Sequence, residues 1–126
     1  MLLPATLLTL LTASAPADGV SAATTTARPR IVALGDSLTS GHGIGASRAF
    51  PAVLQERLQQ SGYALDIVNA GVSGDTTGRA LLRFREALRG DVRVLVVALG
   101  ANDGLRGVPV SEVRRNLSTI IQDAQS

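Results

Sequence analysis

Three short apolar segments, each followed by glycine and polar residues, constrain the fold of this 126-residue chain more than any other feature. They are rich in valine, isoleucine and leucine, as buried strands are, and occupy residues 30–35, 64–69 and 91–100. Three segments with apolar residues at helical spacing alternate with them, at residues 50–60, 77–89 and 111–124. This alternation predicts right-handed crossovers and a parallel sheet, and therefore a three-layer α/β/α fold.

Local signals support the three predicted helices. Pro51 suits the first turn of the first helix, and Gly62 ends it. Ser111 is expected to cap the third helix through its hydroxyl. The apolar positions of the second helix are predicted to be Leu81, Leu82, Phe84 and Leu88.

Composition narrows the classes of function. The chain is 45% hydrophobic and 17% charged, which is typical of a globular protein. Its twelve basic residues are all arginine and form no basic run, so we expect no nucleic-acid partner. The sequence has no cysteine and one histidine, His42, which excludes a thiolate or multi-histidine metal site.

The N-terminal region has the pattern of a signal peptide. Residues 1–22 combine a short apolar run with small residues at a candidate cleavage site, and residues 23–30 then form a polar linker to a domain at 31–126. No Lys or Arg precedes the apolar run, so a disordered tail is the alternative. The run is too short for stable membrane insertion, and the expected location is periplasmic or secreted.

The first predicted strand ends in Gly-Asp-Ser-Leu, at residues 35–38. Ligands of parallel sheets bind at the carboxyl ends of the strands. A serine there can begin a helical turn, where backbone N–H groups favour negative charge. Ser37 is thus a candidate nucleophile for acyl transfer, although an ordinary helix cap has the same composition.

Two further loops follow the second and third strands. The glycines of residues 69–76 permit close backbone approach to a ligand, although Asp75 or Thr76 can instead cap the next helix. In the loop at residues 100–104, Asn102 can donate its amide to an oxyanion, or it can belong to an ordinary Asn-Asp-Gly turn. Three such loops at one edge of one sheet predict a single site.

The three loops together resemble the GDSL, or SGNH, hydrolases, in the branch of periplasmic thioesterases, lysophospholipases and arylesterases. The resemblance rests on Gly-Asp-Ser-Leu at 35–38, Asn-Ala-Gly-Val-Ser-Gly-Asp-Thr at 69–76 and Gly-Ala-Asn-Asp-Gly-Leu-Arg-Gly at 100–107. It implies that Ser37 is the nucleophile and that the N–H groups of Ser37 and Gly74 and the amide of Asn102 form the oxyanion hole. Asp36 and Asp103 would orient the loops.

The resemblance also implies a flavodoxin-like strand order, 2-1-3-4-5, and an acyl ester or thioester substrate, without a metal or organic cofactor.

The family's general base lies in an Asp-x-x-His motif, which this sequence lacks. Asp123 precedes no histidine, and His42 lies in a glycine-rich loop where a histidine is usually structural. The strand expected at residues 92–99 is apolar on both faces, as interior strands are. We therefore expect the 126 residues to be the front portion of a longer hydrolase domain.

Two other readings remain open. One is a catalytically inactive binding module with the same fold. The other is a flavodoxin-like nucleotide-binding domain, although Gly41, Gly43 and Gly45 do not form a Gly-x-Gly-x-x-Gly motif directly after a strand. The sequence predicts no oligomeric state.

Overall fold

The computed structural model describes residues 27–126, so the predicted signal peptide and residues 23–26 of the predicted linker lie outside the described residues. The strands are β1 (Arg30–Gly35), β2 (Asp66–Gly71) and β3 (Val92–Ala98). The helices are α1 (Ser37–Ser40), α2 (Phe50–Gln60), α3 (Thr77–Ala87), α4 (Ala101–Leu105) and α5 (Val110–Ala124), with a 3-10 turn at Ala46–Arg48.

The three strands form one parallel sheet in the order β2-β1-β3, as expected. Val32, Ala33 and Leu34 of the central strand are almost completely buried. Gly35, the last residue of β1, pairs with Gly71 of β2 and with Ala98 of β3. Because the three strands end at the same level, the loops that follow them leave the sheet at one edge. The α/β fold with a parallel sheet is confirmed.

The apolar core lies between the sheet and helices α3 and α5. Its fully buried residues are Leu34, Ala80, Phe84 and Ile120, and they come from β1, α3 and α5. Burying side chains of the size of Phe84 or Ile120 contributes about 1.5–3 kcal/mol each. This cluster therefore fixes α3 and α5 against the sheet, and with them the loops at the helix N-termini.

Helix α2 protects the outer edge of β2. The Gln55 amide nitrogen donates to the Leu65 carbonyl at 2.9 Å, and its amide oxygen accepts from the Ile67 N–H at 2.7 Å. One side chain thus satisfies backbone groups that a neighbouring strand would otherwise pair. Within residues 27–126, β3 has no strand on its outer side, and Val94 is 47% exposed there.

Three details of the sequence prediction are wrong. Ser111 does not cap α5, which begins at Val110 after Pro109 and has no side-chain cap. Leu82 is 87% exposed, because a helix that buries Ala80, Leu81 and Phe84 turns the Leu82 position outward. The loop predicted at residues 100–104 is mostly the short helix α4.

Within residues 27–126, no helix combines the length and the apolarity that crossing a bilayer requires.

Candidate active site

Ser37 is the first residue of α1, directly after β1. The Asp36 carboxylate caps this helix by accepting from the Leu38 N–H at 3.0 Å, and Asp36 is only 3% exposed. Ser37 itself is partly exposed. The cap residue and the candidate nucleophile are therefore adjacent but distinct: Asp36 caps the helix, and the partly exposed Ser37 follows it.

Helix α1 packs against the end of β2 so closely that only glycine fits there. A Cβ at Gly71 would lie 2.8 Å from the Thr39 carbonyl carbon and 2.9 Å from the Asp36 carbonyl oxygen. The Asn69 amide donates to the Thr39 carbonyl at 2.9 Å, and its oxygen accepts from the Gly71 N–H at 3.0 Å. The last residues of β2 therefore set the position of the helix that carries Ser37.

The second loop places Gly74 beside this helix. Gly74 has a φ of 78°, a left-handed conformation that favours glycine. Its carbonyl accepts from the Arg106 guanidinium at 3.0 Å, whereas no described group accepts from its N–H. The Ser40 and Ser73 hydroxyls lie 3.2 Å apart and join the loop to α1. Gly74 thus has an available backbone donor at the same edge as Ser37.

Asn102, in α4, connects the three segments. Its side-chain amide donates to the Asp75 carbonyl at 2.9 Å and to the Asp36 carboxylate at 3.3 Å. The amide nitrogen carries two hydrogens. Each hydrogen therefore has an acceptor within the protein, and the two contacts orient the amide.

The buried carboxylates are engaged within the protein. Asp75, which is 1% exposed, pairs with Arg83 at 2.7 Å and with Arg79 at 3.4 Å. Asp103, also 1% exposed, accepts from the Thr77 N–H at 2.9 Å and from its hydroxyl at 2.6 Å. These contacts support the expectation that Asp36 and Asp103 orient loops.

The structure also shows which residue caps helix α3. The Thr76 hydroxyl accepts from the Arg79 N–H at 3.3 Å and caps the helix, while the Asp75 carboxylate faces the two arginines instead. Of the two candidates left open by the sequence, Thr76 is the cap.

No titratable side chain in residues 27–126 hydrogen-bonds to the Ser37 hydroxyl. His42 follows the end of α1, is exposed, and contacts Ser37 only through its backbone N–H, which donates to the Ser37 carbonyl at 3.1 Å. Asp123 lies near the end of α5 and pairs with Arg85. The described residues also contain no group of three His, Asp or Glu side chains that could hold a metal ion.

Two clefts lie elsewhere, between β3 and α5, with volumes of about 190 and 230 Å³. Neither is lined by Ser37, Gly74 or Asn102. The three candidate residues instead lie on an open edge of the sheet. We assign the candidate site by the chemistry of these residues and not by cavity volume.

Ser37, the Gly74 N–H, which has no described acceptor, and the oriented Asn102 amide thus lie at the carboxyl edge of a parallel sheet in an α/β domain. The chain belongs to the GDSL-like Lipase/Acylhydrolase family, whose profile matches residues 33–126.

Related proteins agree with this assignment. The chain is 38% identical over 97 residues to the esterase TesA of Pseudomonas aeruginosa, which covers 76% of the chain and 48% of TesA. It is also 38% identical over 97 residues to thioesterase 1/protease 1/lysophospholipase L1 of Escherichia coli, covering 76% of the chain and 45% of that protein.

Among solved structures, AlinE4, an SGNH-hydrolase family esterase, has 40% identity and a TM-score of 0.72, and the match covers 79% of this chain and 54% of that one. The fold expected from the family resemblance is therefore confirmed. The chain spans about half the length of the relatives that it matches.

Sequence reasoning missed Arg83. Its guanidinium contacts the Asp75 carboxylate and the carbonyls at the ends of β1 and β2. One signal was available: Arg79 and Arg83 are four residues apart and share a helix face that follows Asp75. The prediction assigned neighbouring Leu82 to the buried face instead, and so overlooked the inward arginine.

Proposed function

We propose that the protein is a serine hydrolase that cleaves carboxylic esters or thioesters of acyl chains through an acyl-enzyme on Ser37. The observation that carries this proposal is the Asn102 amide, which bonds to the residue after Gly74 and to the residue before Ser37. This geometry supports a shared reaction centre for the three residues, and membership of the acylhydrolase family supports the reaction class.

In the proposed reaction, the Ser37 oxygen attacks the carbonyl carbon of the substrate. The carbonyl oxygen becomes negatively charged and accepts from the N–H groups of Ser37 and Gly74 and from the Asn102 amide. Collapse of the tetrahedral intermediate expels the alcohol or thiol and leaves an ester on Ser37, which water then hydrolyses.

The Ser37 proton requires a base, which we propose to be the histidine of an Asp-x-x-His pair, a pattern that the 126 residues do not contain. We accordingly expect little hydrolysis from the 126-residue chain by itself. Its turnover of a p-nitrophenyl ester is the measurement. Robust turnover that His42→Ala abolishes would instead identify His42 as the base.

The function is tested on the protein expressed from its complete gene. Hydrolysis of p-nitrophenyl esters and acyl thioesters is measured, and a reactive phosphonate is used to label the nucleophile. We expect mass spectrometry to locate the phosphonate on the tryptic peptide that contains Ser37. Ser37→Ala should lose both hydrolysis and labelling, and hydrolysis retained in that variant would contradict the proposal.

An inactive binding module is the second candidate, because no described side chain in residues 27–126 hydrogen-bonds to the Ser37 hydroxyl. Saturable binding of an acyl ester without its hydrolysis or phosphonate labelling would favour this candidate. Nucleotide binding is disfavoured by the acylhydrolase family match.

We further propose that the protein acts in the periplasm or after secretion. The support is the pattern of residues 1–22, an apolar run followed by small residues. Cell fractionation and N-terminal sequencing of the mature protein test this; a mature cytoplasmic protein that retains Met1 would contradict it.

A further inference from the structure

The guanidinium of Arg83 joins three separate segments at the carboxyl edge. Nε donates to the Asp75 carboxylate at 2.7 Å, Nη1 to the Ala70 carbonyl at 2.9 Å and Nη2 to the Gly35 carbonyl at 3.1 Å. The acceptors belong to the loop before α3, the end of β2 and the end of β1. The Arg83 side chain is 28% exposed, so these contacts are largely shielded from water.

The chemistry of arginine explains why this residue type occupies the position. Arg83 donates to the Ala70 carbonyl and shares the Gly35 carbonyl with the Val72 N–H, and Asp75 adds a buried negative charge. A planar guanidinium offers five N–H donors in a rigid fork, whereas a lysine ammonium is a compact point charge. Helical side chains lean toward the helix N-terminus, so a residue in the second turn of α3 reaches back to the sheet edge.

Two of these three contacts lie one or two residues from the candidate site. Gly35 lies two residues before Ser37, and Asp75 directly follows Gly74. The Asp75 carbonyl is also the acceptor that orients the Asn102 amide. One side chain therefore links the backbone just before the candidate nucleophile to the loop that carries the Gly74 N–H and the Asp75 carbonyl that orients the Asn102 amide.

We propose that Arg83 is a positioning residue that sets the distance between the Ser37 hydroxyl and the donors at Gly74 and Asn102. The inference rests on the proposed hydrolase function. Arg83 acts through the backbone and does not contact the substrate. Its loss therefore alters the geometry of the transition state and leaves the affinity for the substrate almost unchanged.

The test compares Arg83→Lys with a matched control, Arg79→Lys, in the protein expressed from its complete gene. Arg79 lies on the same helix face and pairs with the same aspartate at 3.4 Å, but it is 60% exposed and donates to no strand carbonyl. The kcat is calculated per active site, and the concentration of active sites is measured as the amount of enzyme that a phosphonate labels. Arg83→Lys should lower kcat by about 10- to 100-fold, since small misplacements of reacting groups have effects of this size. KM should change little, and Arg79→Lys should behave like the wild type.

A second readout does not depend on hydrolysis. Amide hydrogen exchange at residues 37–40 and 74–75 should become faster in Arg83→Lys and stay unchanged in Arg79→Lys. Unchanged exchange together with unchanged kcat would overturn the proposal. Equal losses in both variants would also overturn it, because the effect would then come from the pairing with Asp75 that both arginines share and not from the strand carbonyls.

Should Arg83→Lys fail to fold, the double variant Asp75→Asn/Arg83→Gln removes the buried charge pair together, and the same loss of kcat is expected. Wild-type kcat in the folded double variant would overturn the positioning role. Different results would contradict the two proposals. Hydrolysis by Ser37→Ala would refute the proposed function, whereas the amide hydrogen exchange rates test the role of Arg83.

Discussion

The carboxyl edge of the sheet and the outer edge of β3 are stabilised in opposite ways. At the carboxyl edge, the nearly fully buried Asp36, Asp75 and Asp103 all accept hydrogen bonds from partners in other segments or from the loop backbone. At the outer edge of β3, the exposed side chains are mainly apolar: Val94 is 47% exposed, and Leu95 and Val97 line the clefts beside α5.

The difference shows which contacts can position a reacting group. Hydrogen bonds are directional, so they fix distances and orientations. The free energy of apolar contacts depends mainly on the area that is buried and not on direction. Removing one partner from a buried charged pair also costs more than the pair contributes, because the other charge is left unsatisfied. Substitutions at the carboxyl edge should therefore affect turnover strongly, and those along β3 should not.

The largest expected effect is that of Ser37→Ala in the complete protein. The substitution removes the covalent route, and loss of such a nucleophile typically lowers kcat on the order of 10⁶-fold. Ser37 makes no side-chain hydrogen bond to a described residue, so the melting temperature should stay close to that of the wild type. A large fall in melting temperature would show that Ser37 is a structural residue.

Asn102→Ala should have the next largest effect. Loss of one oxyanion donor typically lowers kcat by about 10²- to 10³-fold, or roughly 3–4 kcal/mol, with KM nearly unchanged. Steady-state kinetics and thermal unfolding on the same sample check this. If Asn102 serves only the turn, the variant will instead lose stability and keep near-normal turnover below its melting range.

Gly71→Ala should affect both stability and activity. The added Cβ would collide with the backbone of α1, and overpacking of this kind costs about 1–3 kcal/mol. Because the displaced helix carries Ser37, kcat should fall as well. Denaturant unfolding measures the first effect. Gly104→Ala is a suitable control, since its Cβ would meet nothing within 4 Å and its backbone is not in the left-handed region.

The smallest effect is expected at the outer edge of β3. Val94→Lys in the 126-residue chain should change the free energy of unfolding by less than about 0.5 kcal/mol, because an exposed edge position accommodates a charge. Light scattering should show less aggregation. A loss of 2 kcal/mol or more would mean that Val94 is covered, and the contrast between the two edges would then disappear.

Much of the fold was predictable because it depends on local periodicity. The apolar runs at β1 and β3 and the stripes of α2 and α3 are signals contained within a few residues. The predicted second strand began two residues early, α4 was missed, and α1 was anticipated only as a helical turn that Ser37 can begin. Helices of four and five residues show little periodicity, and their positions depend on contacts such as Asn69 with Thr39.

The candidate residues Ser37, Gly74 and Asn102 could also be proposed from the sequence, because each lies in a motif after a strand. Their catalytic roles remain predictions. What the motifs do not contain is the network between them, in which Arg83 bonds to residues 13 and 48 positions away in the chain.

By itself, the sequence determined the order of the main strands and helices along the chain, the family and the residues proposed for the reaction. All of these depend on local sequence patterns. The tertiary structure alone decided that Thr76 and not Asp75 caps α3, that Leu82 faces outward, and that Arg83 joins the ends of β1 and β2. The physical reason is that a buried charged group pairs with residues that the folded chain brings close to it. The separation of these residues along the sequence does not predict that proximity.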